Sequence, residues 1–152
     1  MGERVAARPD VFPAGANLSV LLPFEPAEVF VRTFERGAGL TASCGSGMAA
    51  SRAVYSRAGR IGPERRVVVR NAGGMATVSL KVRQGRWHPL VEGNATFVYR
   101  AEVDPDALAR SVPPDAECQA FADEISAYAA LDERNAARLR AAGVETAASQ
   151  IT

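Results

Sequence analysis

Cysteine, histidine, lysine and tryptophan are all scarce in this sequence. It holds two Cys, one His, one Lys and one Trp among 152 residues. Two cysteines do not make a disulfide scaffold, which leaves the cytoplasm as the expected compartment. Cys118 and His88 lie 74 and 44 residues from Cys44, a spacing that matches no metal-ligand pattern, so no metal is expected. A phosphate-binding loop and a dinucleotide fingerprint are both missing. No apolar run approaches the roughly 18 residues that span a bilayer, so no membrane association is expected. The first ten residues, MGERVAARPD, lack the apolar core of a secretory signal. There is no internal repeat and no low-complexity tract.

What is present is an ordinary globular composition, 47% hydrophobic and 23% charged, in a chain of 16.1 kDa. That length suits one domain with one proper core. The net charge is only +1, but it is unevenly laid out. Residues 51–100 carry +8, residues 101–152 carry −6 and the first fifty carry −1. A basic middle is compatible with nucleic acid. No aromatic interleaving or reader motif accompanies the arginines, so no nucleic-acid partner is expected. The simpler reading pairs the basic middle with the acidic tail of the same or a neighbouring chain.

Residues 1–10 read as a loose arm, followed by turn chemistry at Phe12-Pro13-Ala14-Gly15. Asn17–Leu22 and Val29–Phe34 read as strands, with Pro23-Phe24-Glu25-Pro26 as a connecting loop. Residues 37–47 are loop-rich, with four glycines. A helix opens there and runs through Tyr55 to a stop at Gly59. Arg65–Asn71 and Met75–Val82 form a hairpin around Gly73-Gly74. Trp87–Val91 and Ala95–Val103 read as two more strands. The fold class is therefore α+β: a mostly antiparallel, curved, barrel-like sheet around one helix, spanning residues 10–103. Residues 104–152 form an acidic tail. After Pro113-Pro114, Asp115 is a plausible N-cap, and Cys118, Phe121, Ile125 and Tyr128 make an amphipathic helical stripe. That helix runs to Gly143, unbroken or with a break near Asp132.

The chemistry concentrates in residues 34–50, FERGAGLTASCGSGMAA. Cys44 stands just before Gly45-Ser46-Gly47 and the opening of the helix. Free backbone N–H groups and the positive end of the helix dipole meet there, which favours a thiolate over a thiol. The amides of Gly45 and Ser46 also suit a substrate carboxylate. Glycines let the backbone approach a ligand without Cβ atoms in the way. Glu35 and Arg36, a short loop away, suit a zwitterion: Glu35 faces an ammonium and Arg36 a carboxylate. The bland alternative is a buried, inert cysteine in a glycine-rich turn.

Residues 34–50 resemble the second cysteine motif of the diaminopimelate epimerase family. FPAGANLSVL, residues 12–21, resembles the strand that carries a substrate-binding asparagine in that family. VEGNATFVYRAEV, residues 91–103, resembles its closing strands. The resemblance covers roughly residues 10–103 and matches the C-terminal half of a typical member. It implies a cofactor-independent isomerase in which one cysteine from each of two pseudo-symmetric domains flanks the α-carbon. Cys44 would be one of these two bases. Gly45 and Ser46 would bind the adjacent carboxylate, and Asn17, Glu35 and Arg36 the polar groups at the far end of an amino-acid-like substrate. Members usually carry an acidic residue where Leu40 stands and a small one where Met48 stands. The domain with the other cysteine has no counterpart here, and the acidic tail matches nothing in the pattern.

The opposite base has no obvious source within the chain. Cys118 lies on the apolar stripe of the expected tail helix and reads as structural. His88, between Trp87 and Pro89 at a strand edge, has no catalytic company. A complementary N-terminal-like half could supply the base, or a homodimer could set two Cys44 thiols face to face. Three functions follow: an amino-acid epimerase or racemase, an isomerase of the same fold acting on another biosynthetic metabolite, or an inactive binding or scaffold half.

Overall fold

A computed structural model describes residues 1–103, 105–109 and 117–144 of the chain. It is a mixed α+β structure that divides into two compact units, residues 1–94 with 134–152 and residues 95–133. None of the described helices is long and apolar enough to cross a membrane.

The first unit opens with a short helix, α1 (Gly2–Ala6), where the sequence suggested a loose arm. Gly2 explains its position, because a Cβ there would collide with the Phe34 ring. Next come β1 (Leu18–Glu25), β2 (Glu28–Glu35), β3 (Gly39–Thr41), α2 (Gly45–Arg57), β4 (Val67–Asn71), β5 (Gly74–Arg83) and β6 (Arg86–Glu92). The strands form one sheet in the order β1-β2-β4-β5-β6, with β3 also paired to β2. All pairs are antiparallel except β2–β4, which is parallel. A parallel pair needs a long crossover. Here β3 and α2 provide it, and the crossover lays α2 across the sheet.

Two loop expectations are corrected. Pro23-Phe24-Glu25 is not a connecting loop, because β1 runs through it with a register shift between Pro23 and Glu25. β1 is an edge strand, where a proline without an N–H is tolerated. The glycine-rich 37–47 stretch contains β3, which folds back on β2 with Leu40 opposite Phe34.

The alternating valines of the sequence fill the core. Val29 and Val31 of β2, Val67 and Val69 of β4, and Ala76 and Val78 of β5 pack against Met48 and Tyr55 of α2. Each buried valine contributes on the order of 1.5 kcal/mol. Helix α2 ends where expected. Gly59 has φ +71°, and the N–H groups of Gly59 and Arg60 return to the carbonyls of Ser56 and Tyr55. That pair of bonds is a Schellman cap. Arg52, in the middle of α2, is fully buried. Its guanidinium donates to the carbonyls of Val78, Gly62, Pro63 and Arg65 and to the Ser56 hydroxyl, so it pins the segment between α2 and β4.

The first unit also includes the end of α4 (Ala122–Ala141) from Arg134 onward. Arg138 pairs with Glu28 at 2.5 Å and lies over the Phe24 ring, 5.1 Å from its centroid. Arg70 pairs with Glu28 from the other side and donates to Asn135, whose amide in turn donates to the Asn71 carbonyl. Leu139 is completely buried.

In the second unit, β7 (Tyr99–Glu102) pairs antiparallel with β8 (Glu117–Ala120), and α3 (Pro105–Ala109) lies between them in the chain. Here three expectations fail. Only Tyr99–Glu102 of the expected 95–103 strand is extended, and it joins β8 rather than the main sheet. The tail helix begins at Ala122, after β8, and passes through Asp132 without a break. The proposed cap Asp115 lies outside the described residues. Cys118 is therefore on a strand and exposed, not on a buried helical stripe. Ile125 and Tyr128 are exposed as well, and the side chains α4 does bury are Asn135 and Leu139.

Candidate active site

Cys44 is the N-cap of α2, with extended backbone at φ −144° and ψ 102°. Its Sγ accepts a hydrogen bond from the Gly47 N–H at 3.4 Å and lies 3.4 Å from the Ser46 hydroxyl. The residue is 6% exposed. The sulfur is thus covered, yet it belongs to the amide cluster of the first helical turn. The N–H groups of Gly45 and Ser46 precede the first intrahelical bond, which runs from Met48 N–H to the Cys44 carbonyl at 2.9 Å. They have no acceptor among the described residues, and both residues are exposed. Two free N–H groups beside the sulfur suit a carboxylate.

The first turn sits very close to the sheet. A Cβ on Gly47 would lie 2.9 Å from Ser19 Oγ and 3.3 Å from Cys44 Sγ, and nearer still to Thr33 Oγ1. Ser19 and Thr33 share a hydrogen bond of 2.9 Å across the β1–β2 pair. Gly47 therefore rests on a hydroxyl pair, and this seat fixes the helix mouth. The loop before Cys44 is clamped from the other side, where Gly73 N–H in the β4–β5 turn donates to the Ala42 carbonyl at 2.8 Å. Sequence reading missed both contacts. The seat was marked only by small polar residues at inward strand positions, and the clamp by a glycine already explained by its turn.

A second cluster lies at the neighbouring strand ends. Asn17, just before β1, accepts the Arg36 backbone N–H at 2.9 Å. The Arg36 guanidinium donates to the Ala14 carbonyl, and a Cβ on Gly15 would strike its side chain. Glu35 accepts from the Thr41 hydroxyl at 2.6 Å. That bond ties the end of β2 to the end of β3, three residues before Cys44. The structure thus brings Asn17 and Arg36 together, groups Cys44 with Ser46 and Gly47, and links the two sets through Glu35–Thr41 and the Gly47 seat. Met48, a departure from the family pattern, packs in the core, whereas Leu40 is exposed. His88 lies opposite Lys81 on the β5–β6 hairpin, away from both sets.

The model of the diaminopimelate epimerase family matches residues 2–98. This chain belongs to that family. Among members, it is 39% identical over 97 residues to the diaminopimelate epimerase of Ligilactobacillus salivarius, covering 61% of this chain and 30% of that protein. It is 45% identical over 92 residues to that of Methanopyrus kandleri, covering 60% of this chain and 30% of that protein. For the Lactiplantibacillus plantarum epimerase the figures are 42% over 94 residues, 58% and 27%. The chain thus spans about a third of the length of the curated family members it matches. The Cys44 loop, the Asn17 strand and the whole of the main sheet fall inside the family match.

Proposed function

We propose that this chain provides one side of a cofactor-independent amino-acid epimerase cleft, with Cys44 as its base. As a thiolate, Cys44 takes the α-proton of the substrate. The electron pair left on carbon spreads into the adjacent carboxylate, which is held by the Gly45 and Ser46 amides. A protonated group on the opposite face then returns a proton, which inverts the centre. That second group comes from a complementary N-terminal-like half or from Cys44 of a second copy. Asn17, Glu35 and Arg36 bind the far end of the substrate, with Glu35 taking an ammonium and Arg36 a carboxylate. A substrate with two amino-acid heads, such as diaminopimelate, fits that pairing.

The observation that carries this reading is the Cys44 sulfur beside the N–H of Gly47 and the unpaired amides of Gly45 and Ser46. The test is interconversion of diaminopimelate stereoisomers by the chain, alone and mixed with the N-terminal half of a family member. Activity lost on Cys44→Ala supports the reading. Activity unchanged by that substitution overturns it.

A second reading rests on Arg36, whose guanidinium already donates to the Ala14 carbonyl. In it the chain is a binding module that keeps the helix-mouth anion site without the chemistry. Calorimetric binding of an amino acid that survives Cys44→Ala, with no turnover under any condition, is its mark.

A further inference from the structure

Within the first unit, the end of α4 is joined to the main sheet by a polar side chain. Asn135 is buried, one helical turn from the buried Leu139. Asparagine is a mediocre helix former, and its amide costs stability when buried unless both ends find partners. Here both do. Asn135 Oδ1 accepts from Arg70 at 2.9 Å, and Asn135 Nδ2 donates to the Asn71 carbonyl at 3.1 Å. A guanidinium only donates and a carbonyl only accepts, so the orientation of this amide is forced. Arg70 is itself pinned by Glu28.

The two bonds serve different ends. The Arg70 bond anchors α4 to β4. The Asn71 bond falls on the last residue of β4, at the edge of the β4–β5 turn. Asn71 pairs with Gly74 across the two turn residues Ala72 and Gly73. Gly73 N–H donates to the Ala42 carbonyl at 2.8 Å, and a Cβ on Gly73 would lie 3.1 Å from the Ala42 side chain. Ala42 stands two residues before Cys44, between Thr41, which is tied to Glu35, and the cap of α2. A continuous relay thus runs from Asn135 through the Asn71 carbonyl, the turn and Ala42 to Cys44. The Asn71 side chain does not brace the turn through its own Oδ1, which is buried with no partner among the described residues. Asn135 braces it instead, from a part of the chain outside the family match.

We propose that Asn135 is a positioning residue for the Cys44 loop. Its bond to Asn71 fixes the β4–β5 turn, which holds Cys44 at the mouth of α2 through Gly73 and Ala42. Without that bond the turn loosens from Ala42 and the covered sulfur becomes accessible. The catalytic consequence rests on the reading of Cys44 as the base; the placement of the loop does not.

The test uses the full chain carrying Cys118→Ser, because Cys118 is exposed and would consume reagent. Asn135→Asp keeps an acceptor for Arg70 and loses only the donor to Asn71. Alkylation of Cys44 by iodoacetamide and hydrogen exchange of the Gly73 N–H are followed in native buffer. Both are expected to quicken roughly tenfold, the effect of losing about one hydrogen bond. The Leu139 amide of α4 should keep its wild-type exchange, because the Arg70 anchor remains. Asn135→Leu, close to asparagine in size, removes both bonds and should free Cys44 and Gly73 at least as much. Val67→Ala, a core truncation at the other end of β4, controls for general loss of stability and should leave both rates near the wild type. Circular dichroism confirms that each variant folds. Wild-type rates in the folded Asn135 variants overturn the proposal. So does an equal gain in Val67→Ala, which would make the effect one of overall stability. With a complementary half supplied, α-proton exchange on diaminopimelate should fall in Asn135→Asp by a comparable factor. An active enzyme indifferent to Asn135→Asp overturns the positioning role. A wild type without exchange refutes the reading of Cys44 as the base, whereas the alkylation and amide rates decide the placement of the loop by themselves.

Discussion

Replacing Gly47 with alanine sets two effects of known size against each other. Alanine is the better helix former by about 1 kcal/mol. The added Cβ, however, would sit 2.9 Å from Ser19 Oγ and 3.3 Å from Cys44 Sγ, and closer still to Thr33 Oγ1. Thr33 is β-branched and stiff, and its hydroxyl is engaged with Ser19. Overpacking of this kind costs about 1–3 kcal/mol. The clash should outweigh the propensity, leaving Gly47→Ala less stable by up to about 2 kcal/mol. Urea unfolding of the wild type, Gly47→Ala, Thr33→Ala and the double variant measures this directly. Removing the Thr33 hydroxyl makes room for the new methyl, so the double variant should lose less than the two single losses together, by about 1 kcal/mol. A Gly47→Ala protein as stable as the wild type or more so would refute the seat. So would strictly additive losses, because the methyl and the hydroxyl would then not be meeting.

The remaining predictions concern the two buried networks. Burial works against the charge on Glu28, but hydrogen bonds from Arg138 and Arg70, with their charges, outweigh it and hold the carboxyl below its ordinary value. The stabilisation is therefore full above the ordinary carboxylate range and drains away as pH falls through the lower folded-state value. Glu28→Gln should cost about 2–3 kcal/mol at neutral pH. It should also flatten the acid limb of a stability-against-pH curve, and an unchanged limb would contradict the network. Arg52→Met removes the donor to the carbonyls of Gly62, Pro63, Arg65 and Val78, and should cost about 3–5 kcal/mol by chemical denaturation. Arg52→Lys should recover little of it, since an ammonium lacks the forked set of donors. Full recovery by lysine would mean that charge alone matters there.

Where fold and site were legible, the signal was local. The valines of β2 and β4 alternate, so both strands and their buried faces could be read. Gly59 and Gly73 marked the end of α2 and the β4–β5 turn. The Cys-Gly-Ser-Gly run placed a helix mouth, and the structure puts Cys44 at its cap. What escaped depends on partners far away in sequence. β1 continues through Pro23 because it lies at a sheet edge, a property of topology. β8 was read as part of a helix because Cys118 and Phe121 stand three residues apart, a helical spacing, and only the fold supplies Tyr99–Glu102 as its ladder partner. The Gly47 seat and the Gly73 clamp each join segments that only the fold brings together. Arg36 was read as a donor to a substrate carboxylate, and its further bond to the Ala14 carbonyl depends on the path of the chain before β1.

The role of Cys44 is tested most directly by deuterium wash-in at the α-carbon of diaminopimelate, followed by proton NMR in D₂O. A base on one face exchanges that hydrogen even where inversion needs a second group. The wild-type chain, alone or joined by a complementary half, should therefore replace the α-proton with solvent deuterium, and Cys44→Ala should not. Equal exchange in the two proteins, or none in either with the complementary half supplied, would contradict the account.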